Sequence, residues 1–254
     1  MRLRPILQTL IVAAAWVAAA LASAAEIKVL TAGAFKPVVA ALAPAFEAQT
    51  GHTVRVENAT AGALVRRIAQ GEAFDVVVLT PAAMQPLVQA NRVVPGSVVR
   101  LAQVGIGVAV APGTPLPDIG SEAALRQTLL AARTVAYIDP AAGGSSGIYL
   151  AQLFEHMGIA APMARKAVLV PGGLVAQRVV NGEADIALHQ ISEILAVPGA
   201  VLVGPIPAEV QNYTVYAGAL STSAQEAPAA KAFLDLLAGE RAQAVLKDKG
   251  MQAP

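Results

Sequence analysis

Four short stretches of the chain place small and polar residues between an apolar run and a helical pattern: Thr31 to Phe35, Asn58 to Gly62, Gly143 to Gly147 and Pro171 to Leu174. In open α/β sheets a ligand sits beyond the carboxyl ends of the strands, where helix starts present unpaired N–H groups and a partial positive charge. Each exposed helix end favours a negative group by about 0.3–1 kcal/mol, so several converging turns suit a small anion even without lysine or arginine. One such turn alone reads as an ordinary cap; four together point to a site.

The third turn, Gly143-Gly144-Ser145-Ser146-Gly147, also matches the G-x-S-x-G elbow of serine hydrolases, with Ser145 as the nucleophile. That chemistry needs an acid and a histidine further on, and the chain offers His156 and His189, with Asp185 just before His189 on one apolar run. A single strand does not readily supply both partners in triad geometry. The histidines His52, His156 and His189 show no metal-ligand spacing and no histidine–carboxylate pattern, so no metal and no cofactor is expected. His52 reads as a turn residue and His156 as a helix-surface one. His189 differs, because it stands with Gln190 at the end of an apolar strand where a ligand could reach it.

The elements that position these turns follow from periodicity. Glu26 to Leu30 alternates as a strand, Thr31-Ala32-Gly33 breaks it, and Lys36-Pro37 opens a helix to about Gln49. The unit then repeats, with Thr53 to Val56 as strand, Ala63 to Ala69 as helix and Phe74 to Leu79 as a third strand. The apolar run Val104 to Val110 reads as one long strand leaving the first set of units. A second set follows: strand Val135 to Ile138, helix Ile148 to Met157, strand Lys166 to Val170, a helix to about Asn181, and strand Ala184 to Leu188. Tyr213 to Leu220 as strand and Ala227 to Leu237 as helix return to complete the first lobe. Strands alternating with helices predict an α/β fold of two doubly wound parallel lobes, residues 25–105 with 213–254 and residues 106–212. Hinge strands join them near Val104 to Val110 and Asn212 to Ala217.

Composition bounds the function. The 254 residues are 56% hydrophobic and 14% charged, enough for a large core. Arg2 and Arg4 before the apolar run Ile6 to Leu21 and the small residues Ala22-Ser23-Ala24-Ala25 predict a leader over residues 1–24, cut after Ala24, with Ala25 the other option. Losing those two arginines from 18 basic residues leaves 16 against 17 acidic, a net charge of −1. Neither a nucleic-acid-binding face nor a polybasic membrane patch is visible. The chain has no cysteine, which excludes disulfides, thiolate metal sites and a lipid-modified cysteine tether, so the exported protein is expected free in a periplasm.

Four segments carry a resemblance: Leu30 to Phe35, Ala61 to Ile68, Phe74 to Val78 and Val180 to Ala187. In order and spacing they resemble the bacterial molybdate-binding family of periplasmic solute-binding proteins over nearly the whole mature chain. The resemblance implies two lobes of the periplasmic binding protein type II fold, a monomer, an anion held in the cleft and an ABC permease as partner. That family holds its oxyanion with serines on the first two turns, backbone amides from later turns, and a tyrosine after the strand that here is Ala184 to Leu188. Here Ala34 stands at the first serine, Thr60 or Ala61 at the second, Gly172 at an amide position and Gln190 at the tyrosine.

Hydroxyls lost from the first lobe and gained in the second, at Ser145 and Ser146, favour an organic carboxylate over a molybdate-like oxyanion. The expected ligand contacts are Ala34, Phe35, Thr60, Ala61, Gly144, Ser145, Ser146, Gly147, Gly172, Gly173 and Gln190. The expected function is capture of a small anion for an importer by hinge closure, with no bond made or broken, hence no enzyme. A secreted serine hydrolase using Ser145 and an exported ligand sensor of the same fold are the alternatives.

Overall fold

A computed structural model describes residues 24–254; the leader expected over residues 1–24 lies, except for Ala24, outside them. The first lobe begins with β1 (Glu26–Ala32), a 3-10 turn over Gly33–Phe35 and α1 (Lys36–Thr50). There follow β2 (Thr53–Ala59), α2 (Ala61–Ala69), β3 (Val76–Leu79), α3 (Pro81–Gln89) and β4 (Val99–Val104). The second lobe comprises β5 (Ile106–Val110), α4 (Glu122–Ala131), β6 (Val135–Ile138), α5 (Ser145–His156), α6 (Ala160–Lys166), β7 (Ala167–Val170), α7 (Gln177–Val180), β8 (Ile186–Gln190), α8 (Ile191–Leu195) and β9 (Val201–Pro205). The chain then returns through β10 (Thr214–Leu220), α9 (Ala227–Ala238) and α10 (Glu240–Asp248).

Two five-stranded sheets result, ordered β2-β1-β3-β10-β4 and β7-β6-β8-β5-β9. The expected parallel core is present as β2-β1-β3 and β7-β6-β8. Both sheets are nevertheless mixed, because β10 and β5, the strands that follow each crossing, run antiparallel to their neighbours. Buried apolar residues explain the elements. Val38, Val39, Leu42, Ala43 and Phe46 form one stripe of α1 at helical spacing, and α1 ends where Gly51 adopts φ +75. All four residues of β3 are buried, as befits a strand covered on both faces.

The predicted single strand Val104 to Val110 is two strands, broken at Gly105, where the chain passes from one sheet to the other. The apolar run is continuous, so nothing in its periodicity marks the break. The cause is local: a Cβ on Gly105 would press on the Gln211 amide at 3.0 Å. That amide ties the two crossings, since Gln211 Oε1 accepts from the Ile106 N–H at 2.8 Å and Gln211 Nε2 donates to the Ile106 carbonyl at 2.9 Å.

One side chain replaces a helix cap in the second lobe. Lys166 Nζ donates to the carbonyls of Leu129, Leu130 and Ala132 at 2.8, 2.7 and 2.7 Å, closing the end of α4. Burial pulls its pKa down, yet three carbonyls solvate the ammonium. Lys166→Met is expected to lower stability by about 2 kcal/mol, seen in calorimetry as a melting temperature about 4–8 °C lower. An unchanged melting temperature would show that water serves those carbonyls equally well.

Candidate functional site

The cleft between the lobes narrows to a pocket of about 390 Å³, the open solvent at its mouth included, at the carboxyl ends of β1, β2, β6 and β8. Of the residues expected there, Ala34, Thr60, Ala61, Gly144, Ser145, Ser146, Gly173 and Gln190 line it. Three others lie elsewhere. Phe35 is fully buried in the first-lobe core, its ring 6.4 Å from that of Tyr216. Gly147 sits in the first turn of α5 against β6, where a Cβ would run into the Ile138 carbonyl, so it serves packing. Gly172 is exposed at the rim, opposite Thr60.

The helix starts differ in what they leave free. Thr60 caps α2 by accepting from the Ala63 N–H at 3.2 Å, and its hydroxyl donates across the cleft to the Ala142 carbonyl at 2.6 Å. Its hydroxyl is thus committed to capping and to bridging the lobes. Beside it the Gly62 N–H donates to the Gly143 carbonyl at 3.1 Å, so two backbones touch where neither residue has a side chain. α5 begins at Ser145, three residues earlier than its periodicity suggested, with Gly144 as a cap that offers no side chain. The Ser145 and Ser146 amides therefore open onto the cavity at a twelve-residue helix's positive end.

Behind these turns lie groups that sequence reasoning missed. His189, the penultimate residue of β8, places Nε2 at 3.1 Å from Glu193 Oε2 in the first turn of α8. Both line the cavity and are buried, and His189 Nδ1 has no hydrogen-bond partner among the described residues. Burial pushes the Glu193 carboxyl up to about 8 and the His189 imidazole down to about 3, so both favour their neutral forms around one shared proton. The carboxyl reaches across to the first lobe, occupying the space that a side chain on Gly33 would take. The neighbouring Ser192 hydroxyl donates to the Ala34 carbonyl at 2.8 Å, pinning α8 against the first turn. The expectation that no histidine–carboxylate pattern exists is thereby corrected. The four-residue spacing His189 to Glu193 was the available signal, and it was passed over because no helix was foreseen after the strand.

A second polar set joins the lobes. Tyr216 OH donates to Gln190 Oε1 at 2.7 Å, and Gln190 Nε2 donates to Ser145 Oγ at 2.9 Å. Ser145 thus has an amide, not an imidazole, against its oxygen, and His189 Nε2 is engaged by Glu193. His156 is an exposed residue 3.7 Å from Glu122, and His52 accepts from the Ala25 N–H at 3.1 Å. Ser145 therefore lacks the base that the hydrolase alternative requires. What the cavity does offer is a set of helix-start amides for anionic groups, with no lysine or arginine among the described residues of its lining, around one buried carboxyl able to take or give a proton.

Residues 27–252 match the family of bacterial extracellular solute-binding proteins. An aconitate isomerase from a Pseudomonas species is 37% identical over 230 residues, covering 88% of this chain and 86% of that protein. Among solved structures, the periplasmic molybdate-binding protein of Azotobacter vinelandii superposes with a TM-score of 0.77 at 23% identity, over 90% of this chain and all of that one. The sulfate-binding protein SubI of Mycobacterium tuberculosis gives 0.71 at 18% identity, over 90% and 87%. These two share the fold. The expectation that the chain is no enzyme is overturned by the Pseudomonas relative, which bears an enzyme's name.

Proposed function

The chain belongs to the bacterial extracellular solute-binding proteins, and on that premise we propose that it holds a small tricarboxylate of the aconitate type in its cleft and isomerises it by moving one proton. The observation that carries this reading is the buried Glu193 carboxyl. In a cleft built to attract anions, burial keeps this carboxyl protonated up to about pH 8, so the ligand meets it largely neutral and the ionised fraction is a strong base. Kept neutral beside His189, it is a proton carrier held at the reacting centre.

The chemistry needs little more. Aconitate has a methylene and a vinyl carbon on either side of a central carbon, each of the three bearing a carboxylate. Ionised Glu193 takes a methylene proton, and the electron pair left behind spreads over the three carbons and into the carboxylate oxygens. Returning the proton to the former vinyl carbon moves the double bond to the other arm. The skeleton is the same read from either end, so the product is again aconitate, and the way the cleft holds the new arm sets its cis or trans geometry. No oxidant or water is consumed. The Ala61 amide at the start of α2, the Ser145 and Ser146 amides of α5 and the turn at Gly173 hold the carboxylates, each helix end contributing about 0.3–1 kcal/mol, and up to about 2 where partly buried.

Proton NMR in deuterium oxide tests the proposal. The purified protein is expected to interconvert cis- and trans-aconitate and to place deuterium on the methylene carbon. Absence of both interconversion and exchange would sink the isomerase reading.

The two-lobe cleft supports a second role, capture of an organic carboxylate in the periplasm by a monomer that has lost its leader and passes the ligand to an ABC permease. Loss of carboxylate uptake by cells lacking the gene is the expected result, and unchanged uptake would remove this role. In both readings a carboxylate, rather than molybdate, is the ligand. Tight molybdate binding with no carboxylate binding would reverse that choice.

A further inference from the structure

Resting on the carboxylate reading above, we propose that Tyr216 is a positioning residue that, through Gln190, makes the Ser145 hydroxyl an obligate hydrogen-bond donor to a substrate carboxylate. Tyr216 is 2% exposed, and its O–H donates to Gln190 Oε1 at 2.7 Å. Burial, and next the nearby Glu193, oppose ionisation of the phenol, so it keeps its proton and must donate.

That one donor fixes the sense of the whole set. An amide has one accepting and one donating end, so with Oε1 turned to Tyr216, Gln190 presents Nε2 to Ser145 and donates at 2.9 Å. Ser145 Oγ is then an acceptor towards Gln190, and its own proton is left over. That proton is available to a carboxylate, a strong acceptor, in the cavity that Ser145 lines. With the amide reversed, Gln190 Oε1 would take the Ser145 proton and leave the serine's lone pairs facing an anion. Reversal would also take from the Tyr216 O–H the Gln190 oxygen to which it donates, so Tyr216 opposes it. It stands on β10 of the first-lobe sheet, whereas Gln190 and Ser145 belong to the second lobe, so the lock spans the cleft.

A double-mutant cycle tests this. Ser145→Ala and Tyr216→Phe are each expected to raise KM for trans-aconitate about 10-fold with kcat within about 2-fold, because a charge-assisted bond is lost. The double variant should be no worse than Ser145→Ala. Gln190→Glu, which accepts from both hydroxyls, should raise KM at least as far. Multiplying, independent effects in the double variant would show that Tyr216 does not act through Ser145 and would overturn the proposal. The same cycle read calorimetrically on Kd for propane-1,2,3-tricarboxylate, which has no double bond to move, separates the two readings. A non-additive binding cycle without aconitate turnover sinks the isomerase reading and keeps the lock; turnover with an additive cycle does the reverse. Failure of both carboxylates to bind overturns both.

Discussion

Glu193→Gln is expected to bind trans-aconitate still but to isomerise it about 10³-fold more slowly, the loss that removal of a positioned general base brings. The amide keeps the shape of the carboxyl and fits the space left by Gly33, yet it cannot carry a proton. In the parent protein the rate is expected to rise with pH as Glu193 loses its proton through about 8, and the glutamine variant to lack this limb. A wild-type profile flat from pH 6 to 9 would remove Glu193 as the base.

Stability should move the other way. Between the ordinary glutamate value of 4.5 and the folded value of about 8, the unfolded chain has released the proton that the native protein keeps, so Glu193 lowers stability as pH rises through that window. His189 has the opposite sign: its folded value of about 3 against an ordinary 6.5 means that stability rises with pH between those limits. The two slopes offset each other from 4.5 to 6.5, leaving a decline between 6.5 and 8 that belongs to Glu193. Glu193→Gln is therefore expected to melt about 4–8 °C above the parent at pH 8, for a gain of about 2 kcal/mol. A variant that loses both rate and stability would mark Glu193 as a structural group.

Much of the frame was legible because short apolar runs bounded by turn residues leave few choices. Val135 to Ile138 forms the strand read for it, and Ala227 to Leu237 the helix. Thr60 and Ser145 were found because small polar residues at strand ends are conspicuous. Glu193 was not, for two physical reasons. Its helix is five residues long with Gln190 as cap, so it carries no capping signal, and a glutamate in a first turn reads as a favourable dipole partner. Its burial depends on Gly33 and Ala34, which lie in the other lobe. Tyr216 was read correctly as a strand residue, but alternation says nothing about which oxygen its hydroxyl meets. The chemistry thus depends on contacts between lobes, which local periodicity does not encode.

Those contacts have a mouth as well as a floor. Gly143→Ala is expected to weaken trans-aconitate binding at least about 10-fold and to lower kcat/KM about 100-fold, since displacing positioned groups by about 1 Å has that effect. Its Cβ would lie 2.9 Å from the Gly62 Cα, and Gly143 has φ +77, so the substitution both strains the backbone and wedges the lobes apart. Gly51→Ala isolates the strain. Gly51 has φ +75 with nothing within 4 Å of its would-be Cβ, so this variant should lose stability by about 1 kcal/mol and keep full affinity. Gly62→Ala isolates the wedge, because Gly62 lies outside the left-handed region and its Cβ would meet the Gly143 Cα at 3.0 Å. If closure across these two glycines presses the carboxylates onto the α2 and α5 amides and onto Glu193, affinity falls in Gly62→Ala and Gly143→Ala alike. Full affinity in Gly62→Ala would mean that the lobes grip the ligand without touching at this point, and the bond from Gly62 to Gly143 would then be a consequence of closure with no part in holding the substrate.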